Sequence, residues 1–366
     1  MQVKAAVAPA QGADLDIREL ELDDYQPDEL RVRMVGSGIC HTDAIVRDQW
    51  YPVPLPAVLG HEGSGVVEAV GANVQGFAVG DHVVLGPATC GDCRNCTAGH
   101  PQYCDYLFPF NFGGCRPDGS KAFRDGDTPI SSHFFGQSSF AEAVNVRARN
   151  AVKVSPEVPL ELLGPLGCGL NTGAGAVLNV LKPVPGSSIA IFGTGAVGLA
   201  GMLGAIAAGA SQIIMVDIVP SRLEFALGLG ATDVVNSKAG DPVEAIRELT
   251  GGLGVNLALD TTGVPQVFSQ MTKALAVRGH GALVGAAPLG TDAAFDIGTL
   301  LTSGITISMV VEGDSVPRQF IPLLIGLYQA GRFPFDQLIK TYPFAEINQA
   351  LDDSLAGGTI KPVVVF

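Results

Sequence analysis

The sequence predicts an α/β fold of two domains, a doubly wound parallel sheet set within an irregular, β-rich partner, and three observations carry that prediction. The chain is 366 residues long, more than twice the roughly 150 residues of a common domain, and can bury two cores without disulfides. After Lys182 the texture changes from short runs punctuated by Gly and Pro to alternating strand-like and helix-like segments. A GxGxxG turn opens that alternation.

Taken in order, 65–70 and 82–85 read as β runs in an antiparallel region covering the first 160 or so residues. Strands then follow at 188–192, 212–217, 233–236, 255–260 and 281–285. Between them lie helices at 196–208, 221–229, 242–250 and 265–276. That rhythm indicates a parallel sheet covered on both faces. The end of the chain returns to mixed structure, with a helix at 317–330 and a closing strand at 363–366. No repeat, low-complexity tract or Ser-rich linker interrupts it.

Composition narrows the partners. With 47% hydrophobic and 16% charged residues the chain is not disordered. Its 22 Lys+Arg against 36 Asp+Glu, a net charge of -14, would repel both nucleic acid and an anionic bilayer, which leaves a small molecule as the expected ligand. The run 189–210 has 22 residues with no charge, long enough to cross a membrane on length alone. Its six scattered glycines and its flanks read instead as a buried strand followed by a buried helix. The N-terminus, MQVKAAVAPA, lacks the apolar core and cleavage site of a secretory signal, so a cytoplasmic location is expected. Disulfides are disfavoured there, and the seven cysteines are then metal ligands, nucleophiles or core residues.

Gly193, Gly195 and Gly198 follow an apolar strand and open a helix. In that setting glycines let the backbone turn tightly and bring a pyrophosphate against the helix N-terminus, the Rossmann arrangement. Asp217 ends the next strand, where a carboxylate accepts from ribose hydroxyls and repels a 2'-phosphate, favouring NAD over NADP. The competing reading is a plain tight turn with Asp217 as a helix cap.

Cys90, Cys93, Cys96 and Cys104 form CxxCxxCx7C. Four thiolates at that spacing wrap a tetrahedral ion, and a closed all-sulfur shell is structural zinc. An iron–sulfur cluster is the alternative, although the bacterial ferredoxin run ends in Cys-Pro and this one does not. Cys40 in GICHTD, His61 in GHEG and Cys168 in GCG are further candidates, too far apart for spacing to join them.

These segments, with the four-cysteine lobe and the glycine turn, resemble the zinc-dependent alcohol dehydrogenases of the medium-chain dehydrogenase/reductase superfamily. The likeness runs over essentially the whole chain. LPAVLGHEGSG, FNFGG, FFGQSSF, LLGPLGCGLNTGAGA and IKPVVVF make it most similar to microbial aryl (benzyl) alcohol and geraniol dehydrogenases. The resemblance implies a GroES-like catalytic domain from 1–169 and 311–366 around a Rossmann domain at 170–310. It implies two zinc ions per chain, a structural one on the four cysteines and a catalytic one on Cys40, His61 and Cys168. That Cys2His set leaves one position for water or an alcohol. Glu62 would lie behind the metal as a transient ligand, and Asp43 would fix the His61 tautomer. Thr42 would take the alcohol proton and pass it to the nicotinamide ribose, while the carbinol hydride moves to NAD. His41, Thr172, Val197, Arg222 and Lys361 are implied as further cofactor contacts, with His41 and Lys361 serving the pyrophosphate.

One departure bears on mechanism. Many relatives place a histidine five residues after the first zinc cysteine to carry protons to solvent, and this chain has Ile45. Protons would then leave from the ribose directly to water. For the substrate, seven of the 17 phenylalanines fall between Phe108 and Phe140, and Trp50 and Tyr51 lie where relatives line the pocket. Such walls suit a flat or unsaturated primary alcohol, although aromatic clusters also simply pack cores. The run 304–311 resembles the segment through which relatives pair, so a homodimer or homotetramer is expected. Two other classes remain open: a non-catalytic zinc-binding protein, and a zinc-free quinone reductase of the same superfamily.

Overall fold

The computed structural model describes residues 1–366. The chain divides into two compact units, one of Met1–Cys168, Val316–Ile325 and Asp336–Phe366, the other of Gly169–Ser315 and Gly326–Phe335.

The first unit is built on two sheets. A five-stranded sheet runs Ala57–Val58, Gln2–Ala8, Asp16–Leu22, Phe123–Asp125, Thr128–Ile130. A seven-stranded sheet runs Ala151–Val154, His82–Leu85, Glu62–Val70, Glu29–Gly38, Lys361–Val365, Ile339–Pro343, with Ala143–Arg147 also paired to Glu29–Gly38. Pairing is antiparallel as expected, except that Ile339–Pro343 and Lys361–Val365 run parallel. Alternation sets the faces. Leu30, Val32 and Met34 point inward from Glu29–Gly38 and pack with Leu20, Leu22, Phe123, Phe134 and Phe140 in one core. The register places Gly38 opposite Glu62 and Val363 opposite Gly38.

The second unit is a six-stranded parallel sheet in the order Asp233–Asn236, Gln212–Asp217, Ser188–Phe192, Val255–Asp260, Leu275–Leu283, Thr306–Met309. Its three inner strands between 188 and 260 are almost wholly buried, as a sheet covered by helices requires. Pro220, Pro242 and Pro265 each sit in the first turn of a helix, where a missing N–H costs nothing. The charge-free run at 189–210 becomes strand Ser188–Phe192 and helix Ala196–Ala208. No helix is long and apolar enough to cross a membrane.

Several elements differ from expectation. The strand predicted at 281–285 begins at Leu275, directly after helix Pro265–Ala274. The extra stretch is irregular: Arg278 has φ 62° and the ladder shifts between Val255 and Leu257, so the alternation that marks a strand appears only from His280. Helix Ile297–Ser303, unanticipated, is capped by Asp296, which accepts from Thr299 N. The strand-like run 304–311 reduces to Thr306–Met309 at the sheet edge.

A buried ion-pair cluster ties the aromatic-rich segment of the first unit to its central strand. Arg116 donates Nε and Nη2 to Glu29 at 2.7 and 3.1 Å and Nη1 and Nη2 to Asp23 at 2.8 and 2.9 Å. His133 Nε2 lies 3.3 Å from Glu29 Oε1. Burial alone would raise the Glu29 carboxyl, but hydrogen bonds from His133, Arg116 and the Gln26 N–H outweigh it and hold the group down at about 2. Because the folded-state value is depressed, the stabilisation is complete above the ordinary carboxyl value of 4.5 and is lost as pH falls towards 2. A shift of that size corresponds to about 3 kcal/mol. Glu29→Gln is therefore expected to lose about 3 kcal/mol of unfolding free energy at pH 7, with the gap to the parent narrowing below pH about 4. Denaturant unfolding across that range checks it, and equal stability at pH 7 contradicts it.

Candidate functional site

Cys40 stands one residue beyond Ile39, just after strand Glu29–Gly38, and serves as N-cap of the short helix His41–Arg47. Asp43, in the first turn of that helix, is 2% exposed and organises what surrounds it. Its Oδ2 accepts from Cys40 N at 2.9 Å, and its Oδ1 accepts from Gly60 N at 3.1 Å and lies 2.9 Å from His61 Nδ1. A proton therefore sits on Nδ1, and Nε2 is the nitrogen left to take either a second proton or a metal. Nε2 is buried and has no hydrogen-bond partner, the orphaned polar atom a metal would satisfy. Cys168 follows the single turn Gly164–Gly167, and Ser64 Oγ, donating to Leu160 O at 2.7 Å, ties the segment before that turn to strand Glu62–Val70. Cys40, His61, Glu62 and Cys168 each bring one ligand atom within 4.8 Å of the others.

Charge at this cluster favours a cation. Hydrogen bonding from Cys168, opposed by burial and aided by His61 and Lys361, holds the Cys40 thiol well below its ordinary range. Burial works against a protonated His61, yet Asp43 and Cys40 raise it well above its ordinary range. Protons and a metal ion compete for the same atoms, so affinity for the ion falls as pH falls. Two sulfurs and an imidazole make a borderline-soft set that suits zinc.

Glu62 is fully buried and Lys361 is 3% exposed. Lys361 Nζ donates to Glu62 Oε1 at 3.0 Å, Glu62 Oε2 at 2.9 Å and Ile39 O at 3.1 Å. Lys361, expected as a cation for a pyrophosphate, directs its three ammonium protons at these acceptors beside the cluster. Gly38 is needed next to it, because a Cβ there would overlap the Glu62 carboxylate.

Aromatic rings enclose His61. Phe135 stacks on its imidazole at 4.5 Å between centroids and Phe134 meets it edge-on at 5.3 Å. Phe112 reaches both rings, at 5.9 Å from Phe134 and 5.3 Å from Phe135, and Tyr51 meets Phe112 at 5.9 Å. Trp50, grouped with Tyr51 as a pocket residue, is 60% exposed. Gln137 was not singled out from the sequence, yet it clamps the ligand segment, accepting from Gly63 N at 3.0 Å and donating to His61 O at 2.9 Å. Nothing in its spacing marks it. Cys115 has no role in this site.

The four-cysteine lobe folds as a second cluster, with Cys90, Cys93, Cys96 and Cys104 presenting sulfurs within 4.8 Å of one another. Backbone N–H groups point at those sulfurs: Cys93 N at Cys90, Cys96 N at Cys93, Tyr106 N at Cys104, at 3.3 to 3.5 Å. Such donors stabilise thiolates. Four protein sulfurs close the shell and leave no position for a reactant.

In the other unit Gly193 has φ 97°, and a Cβ on Gly198 would overlap the Gly193 carbonyl. A Cβ on Gly195 would meet open space, so that position can admit a ligand's close approach. A Cβ on Gly173 would overlap the Val197 carbonyl, so Val197 is fixed by the neighbouring helix Gly169–Gly175. Asp217 Oδ2 accepts from Thr194 N at 2.6 Å, and Oδ1 from Ile218 and Val219 N at 2.7 and 2.9 Å. The carboxylate is thus aimed at the turn by backbone donors. Thr172 Oγ1 lies 3.5 Å from Glu312 Oε2, and Arg222 Nε is buried with no partner. In the first unit, His41 is exposed.

Two family models match the chain: an alcohol dehydrogenase GroES-like domain over residues 26–156 and a zinc-binding dehydrogenase over residues 196–327. A geraniol dehydrogenase of Castellaniella defragrans is 45% identical over 100% of this chain and 98% of its own. The crystal structure of a benzyl alcohol dehydrogenase from Acinetobacter calcoaceticus superposes with TM-score 0.97 at 54% identity, covering 100% of this chain and 99% of that one. An alcohol dehydrogenase zinc-binding domain protein from Burkholderia ambifaria superposes with TM-score 0.98 at 56% identity and the same coverage.

Asp43→Asn tests the organisation of the first cluster. The amide keeps the shape and loses the charge that holds the Nδ1 proton, so metal affinity is expected to fall about 10- to 100-fold. Release of zinc to a chelator measures it, and an unchanged release rate contradicts the role given to Asp43.

Proposed function

The chain belongs to the zinc-dependent alcohol dehydrogenases of the medium-chain dehydrogenase/reductase superfamily, and we propose that within that family it oxidises a primary aromatic or allylic alcohol to its aldehyde, reversibly, with NAD. The observation that carries the substrate class is the aromatic sheath at His61, where Phe135 stacks on the imidazole and the partly exposed Phe112 and Tyr51 extend the surface outward. Rings on a ligand of the metal favour a flat, unsaturated carbon skeleton next to the reacting carbinol. The geraniol and benzyl alcohol dehydrogenases among its relatives support the same class.

Two zinc ions per chain fit the two clusters, a catalytic one on Cys40, His61 and Cys168 and a structural one on Cys90, Cys93, Cys96 and Cys104. When bound, zinc supplies a Lewis acid that acidifies an alcohol hydroxyl, and NAD supplies the hydride acceptor. The chain's own residues do the remaining work. Asp43 keeps the His61 Nε2 lone pair free for the ion. Thr42, whose Oγ1 lies 3.8 Å from Cys40 Sγ, would take the alcohol proton while giving its own hydroxyl proton to the nicotinamide ribose. Ile45, 5% exposed, carries no proton onward, so the proton would leave from the ribose directly to water. The Gly193 to Gly198 turn admits the cofactor pyrophosphate to the N-terminus of helix Ala196–Ala208. Asp217 accepts from the adenosine ribose and excludes a 2'-phosphate, with His41, Thr172, Val197 and Arg222 completing the cofactor contacts. The cofactor domain, expected at 170–310, corresponds to the unit of Gly169–Ser315 and Gly326–Phe335, and the catalytic domain to the other unit.

A homodimer or homotetramer forms across the edge strand Thr306–Met309, which pairs on one side only and leaves Met309 61% exposed. Six of the seven cysteines fall in the two metal clusters, and thiolates kept for a metal suit a reducing, cytoplasmic setting.

Steady-state kinetics test the substrate class. With NAD, kcat/KM for benzyl alcohol or geraniol is expected to exceed that for ethanol by at least about tenfold. A preference for geraniol over benzyl alcohol would narrow the class to allylic terpenoid alcohols. Equal values for ethanol would replace it with a broad-range primary alcohol dehydrogenase.

A further inference from the structure

Lys361 lies in the last strand, whose register brings it beside the cluster: Val363 faces Gly38, and Gly38 faces Glu62. Its ammonium has three protons and three acceptors, both oxygens of Glu62 and the carbonyl of Ile39, at 2.9 to 3.1 Å. In this arrangement each ammonium proton has a protein acceptor. Glu62, for its part, offers an oxygen within 4.8 Å of the ligand atoms of Cys40, His61 and Cys168. A carboxylate is a good zinc ligand, and zinc with four protein ligands is a closed, structural site. A buried carboxylate also requires a cation, which is either the metal or a neighbouring side chain.

We propose that Lys361 is a positioning residue that holds Glu62 off the catalytic zinc and so keeps the fourth coordination position open for the alcohol. The bidentate grip satisfies the carboxylate's charge and both its oxygens, and the Ile39 carbonyl fixes the direction from which the ammonium reaches it. Gly38 makes room for the pair, since a side chain there would displace the carboxylate. Removing the ammonium leaves the metal as the nearest cation for Glu62. This assignment rests on the reading of Cys40, His61 and Cys168 as the catalytic zinc ligands.

The test uses the holoenzyme with cobalt in place of the catalytic zinc, and azide as a probe of the open position. The parent is expected to show thiolate-to-cobalt absorption and a saturable spectral change with azide. In Lys361→Met the azide response is expected to disappear, kcat to fall at least about tenfold, and removal of the metal by a chelator to slow, because Glu62 closes the shell. The double variant Glu62→Gln/Lys361→Met, which leaves no buried charge unpaired, is expected to regain the azide response with the KM for NAD within about twofold of the parent. Lys361→Arg keeps a bidentate cation and is expected to behave as the parent does. A retained azide response in Lys361→Met overturns the proposal. So does a KM for NAD raised about tenfold in the double variant, which assigns Lys361 to the cofactor and stays readable if the single variant does not fold. A parent lacking thiolate-to-cobalt absorption at this site removes the zinc reading itself, a failure distinct from those.

Discussion

The register between strands Glu29–Gly38 and Glu62–Val70 is the constraint on which the metal cluster depends. Gly38 opposite Glu62 delivers Cys40 two residues beyond one strand and His61 one residue before the other, so two ligands far apart in sequence arrive side by side. A slip of one residue would turn each strand's side chains to the opposite face and separate the pair. The slip is prevented by the core residues Leu30, Val32 and Met34, buried on one face, and by pairing of Glu29–Gly38 along its length, to Glu62–Val70, Ala143–Arg147 and Lys361–Val365. Hydrophobic burial thereby fixes a ligand geometry that the ligands themselves could not.

A second constraint is strain held in place by hydrogen bonds. Phe135 and Ser138 adopt φ of 50° and 58°, and His133 59°, a region that disfavours residues with a Cβ by about 1 kcal/mol or more each. Gln137 bonded to Gly63 and His61, Ser138 Oγ donating to Val58 O at 2.7 Å, and His133 beside Glu29 over-determine that path. The result is the stack of Phe135 on His61. Rigid rings are thereby held on an immobilised imidazole, the packing on which the proposed selectivity depends.

Much of this was legible in the sequence. The strands 188–192, 212–217, 233–236 and 255–260 and the helix 196–208 coincide with their observed bounds, because apolar runs, prolines in first turns and the glycine turn are local signals. The four-cysteine cluster could be named from its motif, whereas Cys40, His61 and Cys168 could be grouped only through the family resemblance. What the sequence hid was long-range. The chain gives no sign that Lys361 meets Glu62, 299 positions away, or that Gln137 clamps His61. The early start of strand Leu275–Leu283 was also hidden, because the irregular backbone at Arg278 breaks the alternation there. The Phe-rich segment could be read either as core or as pocket wall, and it is divided. Phe123, Phe134 and Phe140 are 1% exposed, whereas Phe108 is 50% exposed.

The central claim is that one of two zinc sites is open and catalytic while the other is closed and structural. Metal content per chain in the parent and in Cys168→Ser, measured alongside alcohol oxidation and secondary structure, tests it most directly. The account predicts two zinc ions in the parent, and one in the variant with the fold intact and oxidation abolished. A variant that keeps its oxidation rate after losing one ion, or a parent that holds a single ion in the four-cysteine lobe and still oxidises alcohols, would contradict it.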